Sequence, residues 1–325
     1  MSALGWKNAP SASRLRLQAF LIAAGSKIAG RVPGRARTEP AVVEIPNLEI
    51  HAWHGCNLSC ESCAHYSSLG VRGGPTAEMC ESWMQLWAPR LRPRVFSIVG
   101  GEPTLNRHLA RIVQSAASAW PHSEIRVVTN GFQLGRHPDL PLIMSKLRGR
   151  AFLEISSHHS SEDFRARFRP VRELAERWAE AGVDVRITPS DENWTRRYAM
   201  NGSQIEFLDG DPRAAWEACI GKKCPQIYLG MLWKCPPIAY LDLLPARIHV
   251  EPAWRTLAGS YRPLLADCSD ADLAAFLCRE EENVCRLCPS QLERFELPNP
   301  LVPTRRKSSS RRAPAKSAHS CQPDA

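Results

Sequence analysis

Between residues 44 and 208 the apolar positions switch repeatedly between two spacings. Short alternating or continuous apolar runs predict strands at Leu48–Trp53, Val95–Val99, Ile125–Thr129, Ala151–Ser156 and Val183–Thr188. Between them, apolar residues three and four apart predict helices at Ala77–Leu91, Leu105–Ala119, Leu140–Leu147 and Phe164–Ala181. Ile205–Leu208 is a candidate for one more strand. Alternation of strand and helix predicts a parallel sheet covered by helices. Five or six such units in about 160 residues are too few for a closed eight-unit barrel, which takes about 250. An open or partial barrel is left, or a doubly wound sheet.

The flanks read differently. Residues 11–30 show some helical periodicity (Leu15, Phe20, Leu21, Ile28) among basic residues, and 31–40 read as a linker. After 209 the alternation stops. Cys, Pro and Trp crowd 214–240, and Cys returns at 268–288. The last 24 residues, rich in Ser, Arg, Pro and Ala, have the composition of a disordered tail. The expected divisions are a basic extension (1–43), an α/β core (44–208), a Cys-rich segment (209–300) and a basic tail (301–325).

Composition narrows the function classes. With 325 residues, 44% of them hydrophobic, the chain can bury a core. No run of 18 apolar residues occurs, so no membrane span is expected. The net charge of +9 comes from the ends. Residues 1–40 and 302–325 hold thirteen Lys and Arg against two acids, which leaves the body at −2. A surface made for nucleic acid carries its positive charge on the folded part, so no nucleic-acid partner is expected. The twelve cysteines fall in clusters instead of spreading as disulfide staples, and no clean signal peptide precedes them. Metal–thiolate chemistry in a reducing, cytoplasmic setting is the expectation.

Cys56, Cys60 and Cys63 have the spacing C-x3-C-x2-C in a loop directly after the first strand. Three thiolates so close in sequence do not easily saturate a tetrahedral zinc. They can hold three irons of a cubane and leave the fourth open to a chelating ligand. Gly100-Gly101-Glu102-Pro103 follows the second strand, and Thr129-Asn130-Gly131 the third. In these three features, placed in this order, residues 48–190 resemble the radical S-adenosylmethionine (SAM) enzymes. That resemblance implies a partial (β/α)6 TIM-like barrel. It further implies a [4Fe-4S] cluster on Cys56, Cys60 and Cys63, with SAM chelating its open iron. Gly100, Gly101, Glu102 and Pro103 would receive the SAM amino group, Asn130 would also contact SAM, and Ser156 and Thr188 would lie near the ribose. His158 and His159 follow Ser156 and are candidates for the mouth of the site. One departure is visible: the family usually has an aromatic residue before the third Cys, where this chain has Ser62. Tyr66 and Trp53 are the candidate substitutes.

Cys219 and Cys235 flank Gly230 in the pattern C-x10-G-x4-C, and Cys285-x2-Cys288 follows. This resembles the auxiliary-cluster extensions of the same superfamily, the SPASM and the smaller twitch domains. The glycine suits a hairpin that returns the second Cys to the first. The C-x2-C-x5-C-x3-C block of a full SPASM domain is missing, so the twitch-like form fits better. Four of Cys219, Cys224, Cys235, Cys285 and Cys288 would hold a second [4Fe-4S] cluster, with Cys219 and Cys224 competing for one place. A four-cysteine zinc site satisfies the same spacing. The resemblance implies reduction by a flavodoxin- or ferredoxin-type donor and cleavage of SAM to a 5′-deoxyadenosyl radical. Hydrogen abstraction follows, with the second cluster able to accept an electron in a net oxidation. No peptide-recognition domain is visible, which favours a small polar metabolite over peptide or protein maturation as the substrate. The catalytic residues proper stay unassigned, and a non-enzymatic, zinc-stabilised binding protein is the alternative from another class.

Overall fold

A computed structural model describes residues 41–190 and 194–301. The basic extension to residue 40 and the tail from 302, on which the sequence made its own predictions, lie outside the described residues. The first five strands are β1 (Val43–Trp53), β2 (Leu91–Gly100), β3 (Glu124–Thr129), β4 (Ala151–Ser157) and β5 (Asp184–Pro189). They pair in parallel and in chain order. Helices α1 (Ala77–Trp87), α2 (Leu109–Ala119), α3 (Leu140–Lys146) and α4 (Glu162–Glu180) connect them. The strands and helices anticipated from periodicity are therefore present. β1 and β2 begin earlier than their apolar cores, because their first residues pair while half exposed.

Each strand sends its apolar residues to the helical side. Leu48, Ile50, Phe96, Ile98, Ile125, Val127, Leu153 and Ile155 are all buried in one core with the helices. In α4 the buried residues are Phe164, Phe168, Val171, Ala175 and Trp178, a single stripe at the helical period. Ser161 caps this helix by accepting from the Phe164 N–H. The alternate strand positions turn to the concave side, and several of them are charged or polar, among a few apolar ones such as Val99 and Val128. Register places Glu49 beside Ser97, Ser97 beside Arg126, and Glu154 beside Arg186.

The sixth unit differs from the run before it. β6 (Tyr198–Asn201) and β7 (Gln204–Phe207) form a separate antiparallel hairpin, so the candidate strand at Ile205–Leu208 exists but does not join the main sheet. The chain then adds β8 (Gln226–Tyr228) to the opposite edge, parallel to β1, and returns in β9 (Met231–Trp233). The sheet order is β5-β4-β3-β2-β1-β8-β9. This is a mixed α/β sheet of the partial-barrel kind. The two-residue turn between β8 and β9 is Leu229-Gly230, both left-handed, and Gly230 supplies one of those conformations without steric cost.

α5 (Pro212–Glu217), α6 (Pro236–Ala239), α7 (Pro252–Gly259) and α8 (Asp270–Cys278) complete the helices. Residues 290–301 then form a strap over the loop after β1. The Pro300 carbonyl accepts from the Ser59 N–H at 2.9 Å, and buried Leu297 packs with Leu58 and Cys60. Arg196 pairs with both Glu61 and Glu293 beside it. Among the described residues no helix is long and apolar enough to cross a membrane.

Candidate functional site

The loop after β1 is fixed by backbone contacts before any thiol is considered. Gly101 N–H donates to the Trp53 carbonyl at 2.8 Å, and Glu102 N–H to the Gly55 carbonyl at 2.9 Å. A Cβ at Gly101 would stand 2.2 Å from the Gly55 oxygen, and one at Gly100 2.2 Å from the Trp53 oxygen. The two glycines are thus required by close approach of the β2 loop to the Cys loop. That approach brings Cys56, Cys60 and Cys63 to the wall of a cavity of about 270 Å³. Gly100, Gly101, Glu102, Thr129, Asn130, Ser156, His158 and Trp194 line the same cavity.

Glu102 is buried and heavily bonded. One carboxylate oxygen accepts from the Thr104 N–H (3.0 Å), the Thr104 hydroxyl (2.5 Å) and the Thr129 hydroxyl (2.5 Å). The other accepts from the Asn130 N–H at 2.8 Å. Burial pushes its pKa up against these donors. The carboxylate therefore ties the β2 loop to the β3 loop at the wall of the cavity, which Glu102 lines. Asn130 Nδ2 donates to the Asn57 side chain at 2.8 Å and lies 3.8 Å from the Cys56 sulfur.

Burial drives the Cys56 thiol up to about 12, and lifts Cys60 and Cys63 as well. For Cys60 the neighbouring Cys63 and Cys56 add to the effect. Three soft sulfur donors facing one cavity, each costly to ionise alone, fit a bound iron–sulfur cluster, whose cationic irons offset thiolate charge. Ser62, at the place of the family's aromatic, is buried and accepts from the Arg197 and Tyr198 N–H groups at 2.6 and 3.0 Å. It anchors the loop to β6. Neither Tyr66 nor Trp53 lines the cavity; Trp194, which periodicity did not single out, supplies its aromatic wall. Ser156 lines it, whereas Thr188, its register partner on β5, is exposed and lies outside that lining. His158 Nδ1 is 3.8 Å from the Cys60 sulfur and 3.2 Å from the Ser190 hydroxyl. His159 Nδ1 accepts from the Ser161 N–H, at the start of α4.

Behind the loop stand His51, His54 and His65 with Tyr228 and Tyr240. His51 stacks on Tyr240 at 4.1 Å and meets His65 edge-on at 4.4 Å. Burial lowers all three imidazoles, His54 and His65 to about 4. The folded state thus binds fewer protons than the unfolded chain between pH 6.5 and about 4. Stability present above pH 6.5 is lost as pH falls through that window, by roughly 2 kcal/mol at pH 5 for each of His54 and His65. Urea unfolding midpoints should drop between pH 7 and pH 5; a flat profile would contradict this burial.

The second cysteine group separates the two competitors. Cys235 is raised by burial and then by Cys288, Cys219 and Cys285, and Cys285 and Cys288 both feel Cys219. Cys224 lies instead beside Glu49 and Asn47 on β1, where burial and Glu49 raise it to about 11. Among the described residues no three His, Cys, Asp or Glu side chains converge as ligands of a single ion. A cubane holds its thiolates around the outside of a larger core.

Residues 50–197 match the family model described as Radical SAM superfamily. A GTP 3′,8-cyclase of Mycobacterium marinum (strain ATCC BAA-535 / M) is 31% identical over 117 residues, covering 34% of this chain and 32% of that protein. Another, of Mycolicibacterium smegmatis (strain ATCC 700084 / mc(2)155), is 32% identical over 111 residues, covering 33% and 28%. The chain spans about a third of the length of these curated relatives. Among solved structures, BtrN in complex with AdoMet and 2-DOIA is 15% identical with a TM-score of 0.42, covering 78% of this chain and 97% of that one. Streptococcus suis SuiB bound to S-adenosylmethionine is 22% identical with a TM-score of 0.35, covering 44% and 33%.

Proposed function

We propose that this chain, whose residues 50–197 match the radical SAM superfamily model, generates a 5′-deoxyadenosyl radical from SAM and uses it on a small polar metabolite. The observation that carries this reading is the convergence of Cys56, Cys60 and Cys63 on one cavity with Gly100, Gly101, Glu102 and Asn130. A [4Fe-4S] cluster held by the three thiolates would supply the electron that splits the SAM sulfonium. The protein's part is positional. Gly100 and Gly101 let the Cys loop lie against the β2 loop, with Pro103 opening the short turn that follows. Glu102 keeps a carboxylate oxygen facing the cavity for an ammonium group. Asn130 orders Asn57 beside Cys56, and Ser156 and Trp194 offer a hydroxyl and an aromatic face. Leu58, Leu297 and Trp194 keep water away from the thiols.

In this reading 44–208 is the radical-forming core and 209–300 the auxiliary segment. Cys219, Cys235, Cys285 and Cys288 take a second [4Fe-4S] cluster, and Cys224 does not. Electrons come from a flavodoxin- or ferredoxin-type donor in a reducing, cytoplasmic compartment.

Protein purified under strict anaerobiosis should be brown, with about eight irons per chain from two cubanes. Reduced and given SAM, it should release 5′-deoxyadenosine. A colourless preparation holding only zinc would sink the proposal. Cys235→Ser should lower the iron content by about half, to one cubane's four, whereas Cys224→Ser should leave it unchanged. Equal loss in both variants would reverse the assignment of the fourth ligand.

A further inference from the structure

The floor of the cavity carries charge that neither the thiols nor the SAM-directed residues employ. Glu49 from β1, Arg126 from β3 and Glu154 from β4 all line it. Arg126 gives its Nε–H to the Ser97 hydroxyl at 3.0 Å, and Ser97 donates to Asn47 at 2.7 Å. Asn47 in turn donates to Glu49 at 3.0 Å. The two terminal nitrogens of Arg126 stand 3.8 Å from Glu49 and 3.6 Å from Glu154. Both separations exceed an ordinary N–H···O contact, so the charges feel each other without closing into a fork. Arg186, the register partner of Glu154, is engaged by Asp184 at 2.7 Å and lies 3.5 Å from Glu124.

A second, independent feature lies beside this group. Gln226 on β8 is fully buried, and neither its amide oxygen nor its nitrogen has a hydrogen-bond partner among the described residues. It is the direct register partner of Glu49, so its side chain leaves the sheet on the same concave face, next to the residues that line the cavity and not among them. A buried amide left wholly unpaired is costly, and native proteins fill such a place with water or a ligand.

We infer that this floor is a binding subsite for a primary ammonium group, taken between Glu49 and Glu154, with the Gln226 amide meeting a neighbouring hydroxyl. That the ligand is the substrate of the radical chemistry rests on the function proposed above. Two carboxylates face one guanidinium, so the ligand that restores neutrality is a cation. Burial raises the Glu49 carboxyl above its ordinary value, while Arg126, Asn47 and Cys224 beside it act in the opposite direction. The three donors of an ammonium match carboxylate and amide oxygens, and a hydroxyl can both donate to and accept from the glutamine amide.

Three probes of one size decide the point: ethanolamine, ethylene glycol and glycolate, differing in ammonium, hydroxyl and carboxylate. Each is titrated by saturation-transfer NMR against the anaerobically purified protein. Ethanolamine should bind saturably and more tightly than the other two. The double variant Glu49→Gln/Glu154→Gln should bind it about tenfold more weakly or worse. Glu154→Gln alone, at a half-exposed position, gives the same direction where the double variant fails to fold. Preference for glycolate, equal binding of all three, no saturable ethanolamine binding, or undiminished binding in the variants would each overturn the inference. Ethanolamine binding is read without SAM, so a chain that forms no 5′-deoxyadenosine can still keep or lose this subsite on its own evidence.

Discussion

Cys60→Ala should reduce 5′-deoxyadenosine formation at least about a thousandfold, a small part of what enzymes add to such reactions, and lower the iron content from about eight to about four per chain. Cys60 is the middle thiol of the cavity set and the most enclosed of the three by exposure, at 6%. Its replacement leaves two sulfur donors, too few to hold a cubane that already leaves one iron to an outside ligand. The protein should remain folded, because the side chain lost is small and sits at the margin of the core with Leu58 and Leu297. Cys80→Ala is the control. That thiol is fully buried on the inner face of α1 and burial raises it to about 12, but it stands in the hydrophobic core, away from the cavity. Iron and activity should survive there. Iron analysis and product assays on both variants check the pair; loss in Cys80→Ala equal to that in Cys60→Ala would show that folding, and not ligation, is being read.

Gly101→Ala should be strongly destabilising, costing about 3 kcal/mol or more and abolishing iron binding. The added Cβ would meet the Gly55 oxygen at 2.2 Å and the His54 oxygen at 2.5 Å. Both are backbone atoms of the Cys loop, so no side-chain rotation relieves the contact. The loop must move, and the 2.9 Å bond from Glu102 N–H to the Gly55 carbonyl must break with it. Gly135→Ala is the comparison, since nothing lies within 4 Å of its Cβ position and its φ is ordinary. It should be neutral or slightly stabilising, through loss of unfolded-state freedom. Thermal melts and iron content on the two variants test the contrast.

Much of this architecture is legible in the sequence for a simple reason. Strands β1 to β5 are sequential neighbours, so the alternation that identifies each also orders the sheet. The Cys loop and the Gly100-Gly101-Glu102 turn likewise announce themselves by local spacing. The rest depends on pairings that no local window holds. β8 joins the β1 edge across roughly 175 intervening residues, which the cysteine spacing alone did not show. Cys219 carries the C-x10-G-x4-C spacing and Cys224 competes with it from nearby in sequence; the path of β8 past Glu49 brings Cys224 to the sheet, while Cys219 lies with Cys235, Cys285 and Cys288. Glu49, Arg126 and Glu154 read individually as the solvated face of amphipathic strands. They become one charged floor only when register sets them side by side. Thr188, placed near the ribose by its position at a strand end, falls on an exposed edge strand instead.

The strap over the Cys loop gives the chain a chronology. Ser59 and Pro300 bond to each other but lie about 240 positions apart, so the contact cannot form until nearly all of the described chain has been made. At a synthesis rate of about 5–20 residues per second, the loop spends roughly 10–50 seconds outside the ribosome with nothing across it. Contacts of such long range also close last in refolding, because they carry the largest loop-closure entropy. The Cys loop is therefore most open early in the life of the molecule, and Leu297 packs against Leu58 and Cys60 only afterwards.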